Sequence, residues 1–416
     1  MREMKNSGVE WIGKIPKEWS IVKFKYLHNG LNTGEAIDKE YWESDAGLNA
    51  FYTAGLTPIR TGYSNFPTWK ETRENDLLLA RNGTPYVYLP VSKAYYTDHI
   101  IRAAMSSLVN RRFIRYCLQQ SIASIAVDSV SIPTWSATLW NNQILTWPSV
   151  IEQERIAAFL DAECAEIDAV LEKTRASIEK YKKLKQAVIT QAVTKGIRGD
   201  RPMKDSGIEW IGDIPKEWDC KKVKYVTSIS RGIFNHRPRN DERYYGGEYP
   251  FIQTGDVAGA QKYIESYSQT LNELGKSVSK CFPKGTLTMT IAANVGDAAI
   301  LGFDAFFPDS VVGFIPNADI NDEYLYYIFK AMKSEFVRTA IKSTQLNLNV
   351  ERIRDLFVPV VVQKSEQLEI AEYLNTKCAD IDALIAKKQQ YLTEIENYKK
   401  SLIYEYVTGK KEVHPL

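Results

Sequence analysis

The chain has 416 residues, 44% hydrophobic and 25% charged, the make-up of an ordinary globular protein with material for two or three domains. A formal net charge of +2 neither demands nor excludes a nucleic-acid partner, because local clustering matters more than the sum. Five cysteines without a CxxC pair argue against a structural zinc site or a disulfide framework, and Cys164 and Cys378 read as small core residues. No apolar run reaches the 18 residues of a membrane span, and the polar start MREMKNSGVEW has no signal-peptide core, which points to the cytosol.

The first element is a leader, residues 1–19, containing SGVEWIGKIPKEW. Its glycines and prolines oppose a continuous helix, and its tryptophans, Trp11 and Trp19, suggest an anchor packed against something. Residues 20–149 form a first insert of short β-like runs, among them Asp76–Ala80 and Tyr86–Val91, with a helix expected over Arg111–Ala126. Residues 150–196 follow as a helical spacer. Its apolar positions Ile156, Leu160, Cys164, Ile167, Leu171, Ile178, Tyr181, Leu184 and Val188 recur at spacings of mostly three and four.

The pattern then starts again. Residues 197–218 hold a Gly/Pro-bearing linker and a second leader with Trp210 and Trp218. Met203–Tyr225 repeats Met4–Tyr26 with 16 identities in 23 positions. A second insert spans 219–361, with strands expected at Tyr249–Gln253, Thr286–Ile291 and Val311–Ile315 and a helix over Glu323–Lys342. Residues 362–416 form a second helical spacer, where EQLEIAEYLNTKCADIDALIAK echoes EQERIAAFLDAECAEIDAVLEK. Its stripe falls at Ile370, Leu374, Cys378, Ile381, Ile385, Leu392, Ile395, Tyr398 and Leu402.

A narrow apolar stripe flanked by charge fits a coiled-coil seam, and its simplest partner is the other copy, antiparallel within the chain. The seam is expected at Ile167, Leu171, Ile178, Ile381, Ile385 and Leu392, over about 30 helical residues or roughly 45 Å. The other reading leaves each helix covering its own domain. The expected architecture is therefore a tandem duplication of α/β (α+β) domains joined by two long antiparallel coiled-coil helices. The second helical copy has no leader after it, so the first leader would complete its unit and give a circular, pseudo-two-fold organisation.

Catalytic signatures are missing from the sequence. Gly275-Lys276-Ser277 resembles the end of a phosphate-binding loop, but Thr270 stands where its first glycine belongs. GxSxG, HExxH, GxGxxG and an NPPY-type tetrapeptide do not occur. The inserts instead carry polar loops suited to DNA, since Arg, Asn and Gln match base edges and Thr and Tyr serve phosphates. The first insert offers Arg60, Thr61, Tyr63, Arg81, Asn82 and Thr84, and the second offers Arg231, Asn235, Arg237, Arg239, Gln253, Thr254, Gln345 and Asn347. Thr61-Gly62 and Thr254-Gly255 read as matched positions, because each follows a Pro-led run.

The repeated SG(V/I)EWIGxIPKEW leaders, the EQERIAAFLDAE and EQLEIAEYLNTK helices, the QAVTKG and EYVTGK endings and YYGGEYPFIQTGDV together resemble the specificity subunit of type I restriction–modification enzymes. The resemblance covers essentially the whole chain, although the first insert has no clear counterpart of YGGxYPF. It implies two target recognition domains that each read one half of a bipartite asymmetric site in double-stranded DNA. It also implies a helical ruler for the spacer and a repeated framework docking two methyltransferase subunits, with restriction/translocase subunits joining for cleavage. S-adenosylmethionine, ATP and Mg²⁺ would sit on those partners and none in this chain, which would itself be non-catalytic. Two alternatives stay open at this point: a specificity module of another DNA-modification or phage-defence system, and a non-DNA protein scaffold.

Overall fold

The computed structural model describes residues 2–42, 49–53, 55, 57–125, 133–236, 238–292, 294–342 and 346–413. It divides into two compact units. One comprises residues 1–175 with 390–416, the other residues 176–389.

In the first unit the leader forms a hairpin of Met4–Asn6 on Lys14–Pro16. Gly8 and Gly13 turn it with φ of 75° and 67°, a conformation that Cβ-bearing residues adopt only at a cost. A two-stranded framework ribbon follows, Ser20–Lys23 antiparallel to Ile144–Trp147, so the beginning and end of the insert are tied together. The insert holds a four-stranded antiparallel sheet in the order His28–Thr33, Ile100–Met105, Asp76–Ala80, Val87–Tyr88. Beside it lies a three-stranded sheet in the order Ile59–Thr61, Asn49–Tyr52, Ala94–Tyr96, whose last pair is parallel. The helix Arg111–Ala123 begins at an Asn110 cap whose side chain accepts from Phe113 N, and it buries Phe113, Ile114, Cys117 and Leu118.

The second unit repeats this plan with other residues. Its leader hairpin pairs Met203–Asp205 with Asp213–Pro215, and its ribbon pairs Asp219–Lys222 with Phe357–Val360. The larger sheet runs Thr227–Arg231, Val311–Pro316, Leu287–Thr290, Ala298–Leu301, Tyr263–Ile264. The smaller runs Gln269–Leu271, Tyr245–Phe251, Ala305–Phe306, Cys281–Phe282, and Phe251 pairs in parallel with Phe306. The second insert keeps the strand order of the first and adds one edge strand to each sheet, Tyr263–Ile264 and Cys281–Phe282; each smaller sheet has a parallel contact, although the sequences share little.

The spacers are single helices, Val150–Lys195 with 46 residues and Lys364–Val407 with 44. At 1.5 Å per residue each is roughly 65–70 Å long, well above the expected 45 Å, because no Gly or Pro interrupts either run. Their pairing is antiparallel. In the first unit Asp168 meets Lys399 at 2.6 Å and Arg175 meets Glu396 at 2.5 Å. In the second, Lys185 meets Asp382 at 2.6 Å, and Arg198, just past the end of the first helix, meets Glu369 at 2.6 Å. Leu171, Ile178 and Ile381 are buried, while Ile167, Ile385 and Leu392 are half-buried. Leu184 and Tyr398, placed in the stripe by spacing, are instead exposed. Cys164 and Cys378 are buried as free thiols.

The strand Asp76–Ala80 keeps its expected bounds, whereas Tyr86–Val91 shrinks to Val87–Tyr88. The expected helix Arg111–Ala126 ends at Ala123, and residue 126 lies outside the described residues. The expected helix Glu323–Lys342 is two, Asp322–Ala331 and Lys333–Thr339, followed by a strand at Ile341–Lys342. The step at Met332 brings Phe336 to 5.3 Å from Phe329, so buried aromatic packing decides the break, with no Gly or Pro at the step.

Candidate nucleic-acid interface

Each insert is held by the same clamp. Glu152 and Gln153 open one helical copy and Glu366 and Gln367 the other. The glutamates take an arginine from just before the leader hairpin: Arg2 to Glu152 at 2.5 Å, Arg201 to Glu366 at 2.6 Å. Glu18 and Glu217 add a second carboxylate to each arginine, at 3.4 and 3.0 Å. The glutamines turn the other way. Gln153 accepts from Asn110 N and Gln367 from Asn321 N, and these asparagines cap the insert helices. One Glu-Gln dipeptide thus joins leader, helix and insert, which explains why it survives in both copies.

Trp19 and Trp218 are only 1% exposed. They are internal anchors of their own units, while Trp11 and Trp210 are half-buried. Trp19 donates to Glu152 at 2.9 Å; among the described residues the buried Trp218 Nε1 meets no acceptor. The helix endings QAVTKG and EYVTGK close at Gly196 and Gly409, with φ of 75° and 69°. A Cβ on Gly409 would lie 2.5 Å from Pro16 Cδ, so the terminal helix presses directly on the first leader. Lys410 Nζ also donates to Ile12 O at 2.7 Å, so within the first unit the first leader packs at the end of the second helical copy.

In the first insert, Arg81, Asn82 and Thr84 lie on the loop after Asp76–Ala80, where the sequence reading put DNA contacts. Arg81 and Thr84 are exposed. Asn82 shares a 2.8 Å hydrogen bond with His99 Nδ1, and Trp135 Nε1 donates to Gly83 O at 2.6 Å, so neighbouring segments brace the loop. Asn82 and Thr84 line a cavity of about 940 Å³ whose other walls include Tyr86, Tyr88, His99 and Thr134. Those four residues were not foreseen, because they converge from three separate chain segments. Arg60 is exposed on its edge strand, and Tyr63 packs on Phe66 and Tyr41 at ring distances of 4.8 and 5.6 Å. Thr61 is corrected. It is fully buried, donating to Tyr41 O and accepting from Tyr63 N, because alternate strand residues face opposite ways.

In the second insert, Arg231 and Arg239 both reach Asp309, through its backbone oxygen and its carboxylate respectively, and both stay exposed. Asn235 is exposed, with its amide held by Val278 O at 3.0 Å. Gln253 caps the short helix Thr254–Gly259 in a box with Asp256 and donates to Gln269 at 2.8 Å. Asn347 belongs to the strand Leu346–Asn347, while Arg237 and Gln345 lie outside the described residues. The matching of Thr61-Gly62 with Thr254-Gly255 is also corrected. Thr61 ends the edge strand that corresponds to Gln269–Leu271, whereas Phe251 sits on the middle strand and corresponds to Phe51.

The model of the type I restriction modification DNA specificity domain matches residues 215–396. A specificity subunit of the type I restriction enzyme MjaVIII from Methanocaldococcus jannaschii is 23% identical over 97% of this chain and 95% of its own length. That of MjaIX from the same organism is 31% identical, over 43% of this chain and 41% of the relative. Over nearly its whole length the chain is thus similar to a type I restriction enzyme specificity subunit, and residues 215–396 match the domain model of that family.

A solved chain from work on the assembly and conformational transition of a type I R-M system overlays with a TM-score of 0.68. The overlay covers 95% of this chain and 99% of that one at 14% identity, so it speaks to the fold. Tandem α/β domains joined by two long helices are therefore a fold that this chain shares with that one. Among the described residues no helix is long and apolar enough to cross a membrane.

One feature of the chain escaped the sequence reading although its signal was in the repeat. Lys23-Phe24-Lys25-Tyr26 recurs as Lys222-Val223-Lys224-Tyr225. Phe24 and Val223 are buried, yet Tyr26 and Tyr225 are 70% and 64% exposed, with a lysine over each ring at 4.9 and 5.4 Å. Core packing does not require an exposed tyrosine kept in both copies.

Proposed function

We propose that each insert reads one half of a bipartite, asymmetric site in double-stranded DNA, and that the paired helices set the unread spacer between the halves. One observation carries this reading: two inserts with a common strand order in both sheets and dissimilar surface loops, each held by the same Glu-Gln clamp. A constant scaffold with changed loops suits one recognition task performed on two sequences. In the first insert Arg81, Asn82 and Thr84 serve as the reading loop, and in the second Arg231, Asn235 and Arg239 do so. Phosphate contacts set register and salt dependence, and base-edge contacts set sequence.

The repeated framework docks two copies of a methyltransferase subunit, with Tyr26 and Tyr225 as equivalent anchor points. Exposed tyrosines are common centres of binding energy at protein interfaces. Those subunits carry S-adenosylmethionine and methylate an adenine flipped from the helix. Restriction/translocase subunits bring ATP and Mg²⁺, and this chain supplies no cofactor site and no catalysis. The test is a genome-wide map of N6-methyladenine with the gene intact and deleted. Loss of one split motif on deletion is expected, and its two halves and spacer follow from the same map. Retention of every methylated motif in a strain that transcribes the gene overturns the reading.

A further inference from the structure

The tenth residue of each helical copy differs, Asp161 in EQERIAAFLD and Asn375 in EQLEIAEYLN, and each meets its own insert. In the first unit Asp161 accepts from Arg112 at 2.9 Å, Arg115 at 3.3 Å and the Tyr116 hydroxyl at 2.7 Å. In the second, Asn375 Nδ2 donates to Glu323 Oε2 at 2.6 Å. Its Oδ1 accepts from Lys262 at 2.9 Å and from the Tyr327 hydroxyl at 2.7 Å. Lys262 closes the ring by donating to Glu323 Oε1 at 2.7 Å, and Tyr263 donates to the same carboxylate.

Counted from the capping residues Asn110 and Asn321, Arg112 corresponds to Glu323 and Tyr116 to Tyr327. The tyrosine is kept and the charge is inverted. Asp161 offers only acceptors and faces three donors. Asn375 must donate to a carboxylate and accept from two donors, which an amide does and a carboxylate does not. Burial opposes the charge on Glu323, but bonds from Lys262, Tyr263 and Asn375 hold its carboxyl below the ordinary carboxylate range. A second carboxylate at position 375 would meet that anion oxygen to oxygen. An asparagine at 161 would turn amide hydrogens toward guanidinium donors.

We propose that residues 161 and 375 form a charge key that fixes which recognition insert rides on which helix, and hence the order in which the two half-sites are read. The order of half-sites rests on the proposed function; the key itself is a matter of folding and is tested without DNA. Exchanging the inserts would set Glu323 on Asp161 and leave Arg112 and Arg115 on Asn375 without an anion.

The experiment uses full-length chains. N375D is expected to speed amide hydrogen exchange in the helix Asp322–Ala331 at least ten-fold, and N375D/E323Q to restore it, because the glutamine amide can donate to the new carboxylate. A chain with residues 20–149 and 219–361 transposed is expected to melt below the native chain, and the same transposition carrying D161N/N375D to recover. Unchanged exchange in N375D, no recovery with E323Q, or a transposed chain as stable as the native one overturns the key. Should neither transposed chain fold, the N375D and N375D/E323Q pair decides alone. If half-site methylation fails while these stabilities behave as expected, the recognition reading falls and the key stands.

Discussion

Replacing Glu366 by alanine would test whether the clamp holds the second unit as described. Glu366 is 3% exposed and binds Arg201 at 2.6 Å. Its loss strands a guanidinium whose side chain is only 11% exposed. Removing one partner of a buried pair costs about 3–5 kcal/mol. Glu217, half-exposed and 3.0 Å away, keeps part of the compensation, so the lower end applies, about 3 kcal/mol. If the leader opens as a unit, that figure corresponds to on the order of 100-fold faster amide exchange. The assay is hydrogen exchange resolved over Met203–Trp218, with Met4–Trp19 as the internal control. E366Q, which keeps an acceptor without the charge, should fall between wild type and alanine. An acceleration below about five-fold in the alanine variant, or equal acceleration in both leaders, would refute the buried-clamp argument.

Four further outcomes follow from the same geometry. Burial, against the pull of its 2.8 Å contact with Asn141, holds the His28 imidazole below its ordinary 6.5. The unfolded chain therefore binds that proton first, and the first unit should lose stability as pH falls below 6.5, a dependence that His28→Gln removes in thermal melts at pH 7.5 and 5.5. Arg81→Ala should weaken or relax one half-site by about 1–3 kcal/mol in titrations with half-substituted duplexes and leave the other unchanged. Four residues inserted after Leu171 and four after Asn397 keep the antiparallel ion pairs and lengthen each helix by about 6 Å, so the spacer in methylation maps should grow by one or two base pairs. Tyr26→Ala with Tyr225→Ala should reduce co-purification of a methyltransferase subunit, while each single variant removes one of two bound copies.

How much was legible in advance depended on the kind of signal. The duplication was plain because identity between two stretches of one chain needs no structure. Asp76–Ala80 kept its bounds because three consecutive leucines followed by an alanine, buried along their length in a sheet, are too short a run for a helix. Helix length was underestimated because the stripe was counted and the uninterrupted polar flanks were not. Thr61 was misjudged because adjacency to Arg60 says nothing of which face each occupies. The walls of the large cavity were invisible because Tyr88, His99 and Thr134 meet only through tertiary folding. The Asp161 and Asn375 clusters were hidden differently. Both residues were in view inside the repeat, but a substitution of Asp by Asn looks neutral until the donors around it are known.

The closure of the first unit also bears on how the protein is made. Its hydrophobic core takes in Ile12, Trp19, Leu160, Leu402, Ile403 and Val407, residues from both ends of the chain. A ribosome therefore finishes every residue of the second unit before it supplies the last helix turns that the first unit needs. A nonsense codon after residue 389 would leave the later-made unit whole and deprive the earlier-made one of its foundation.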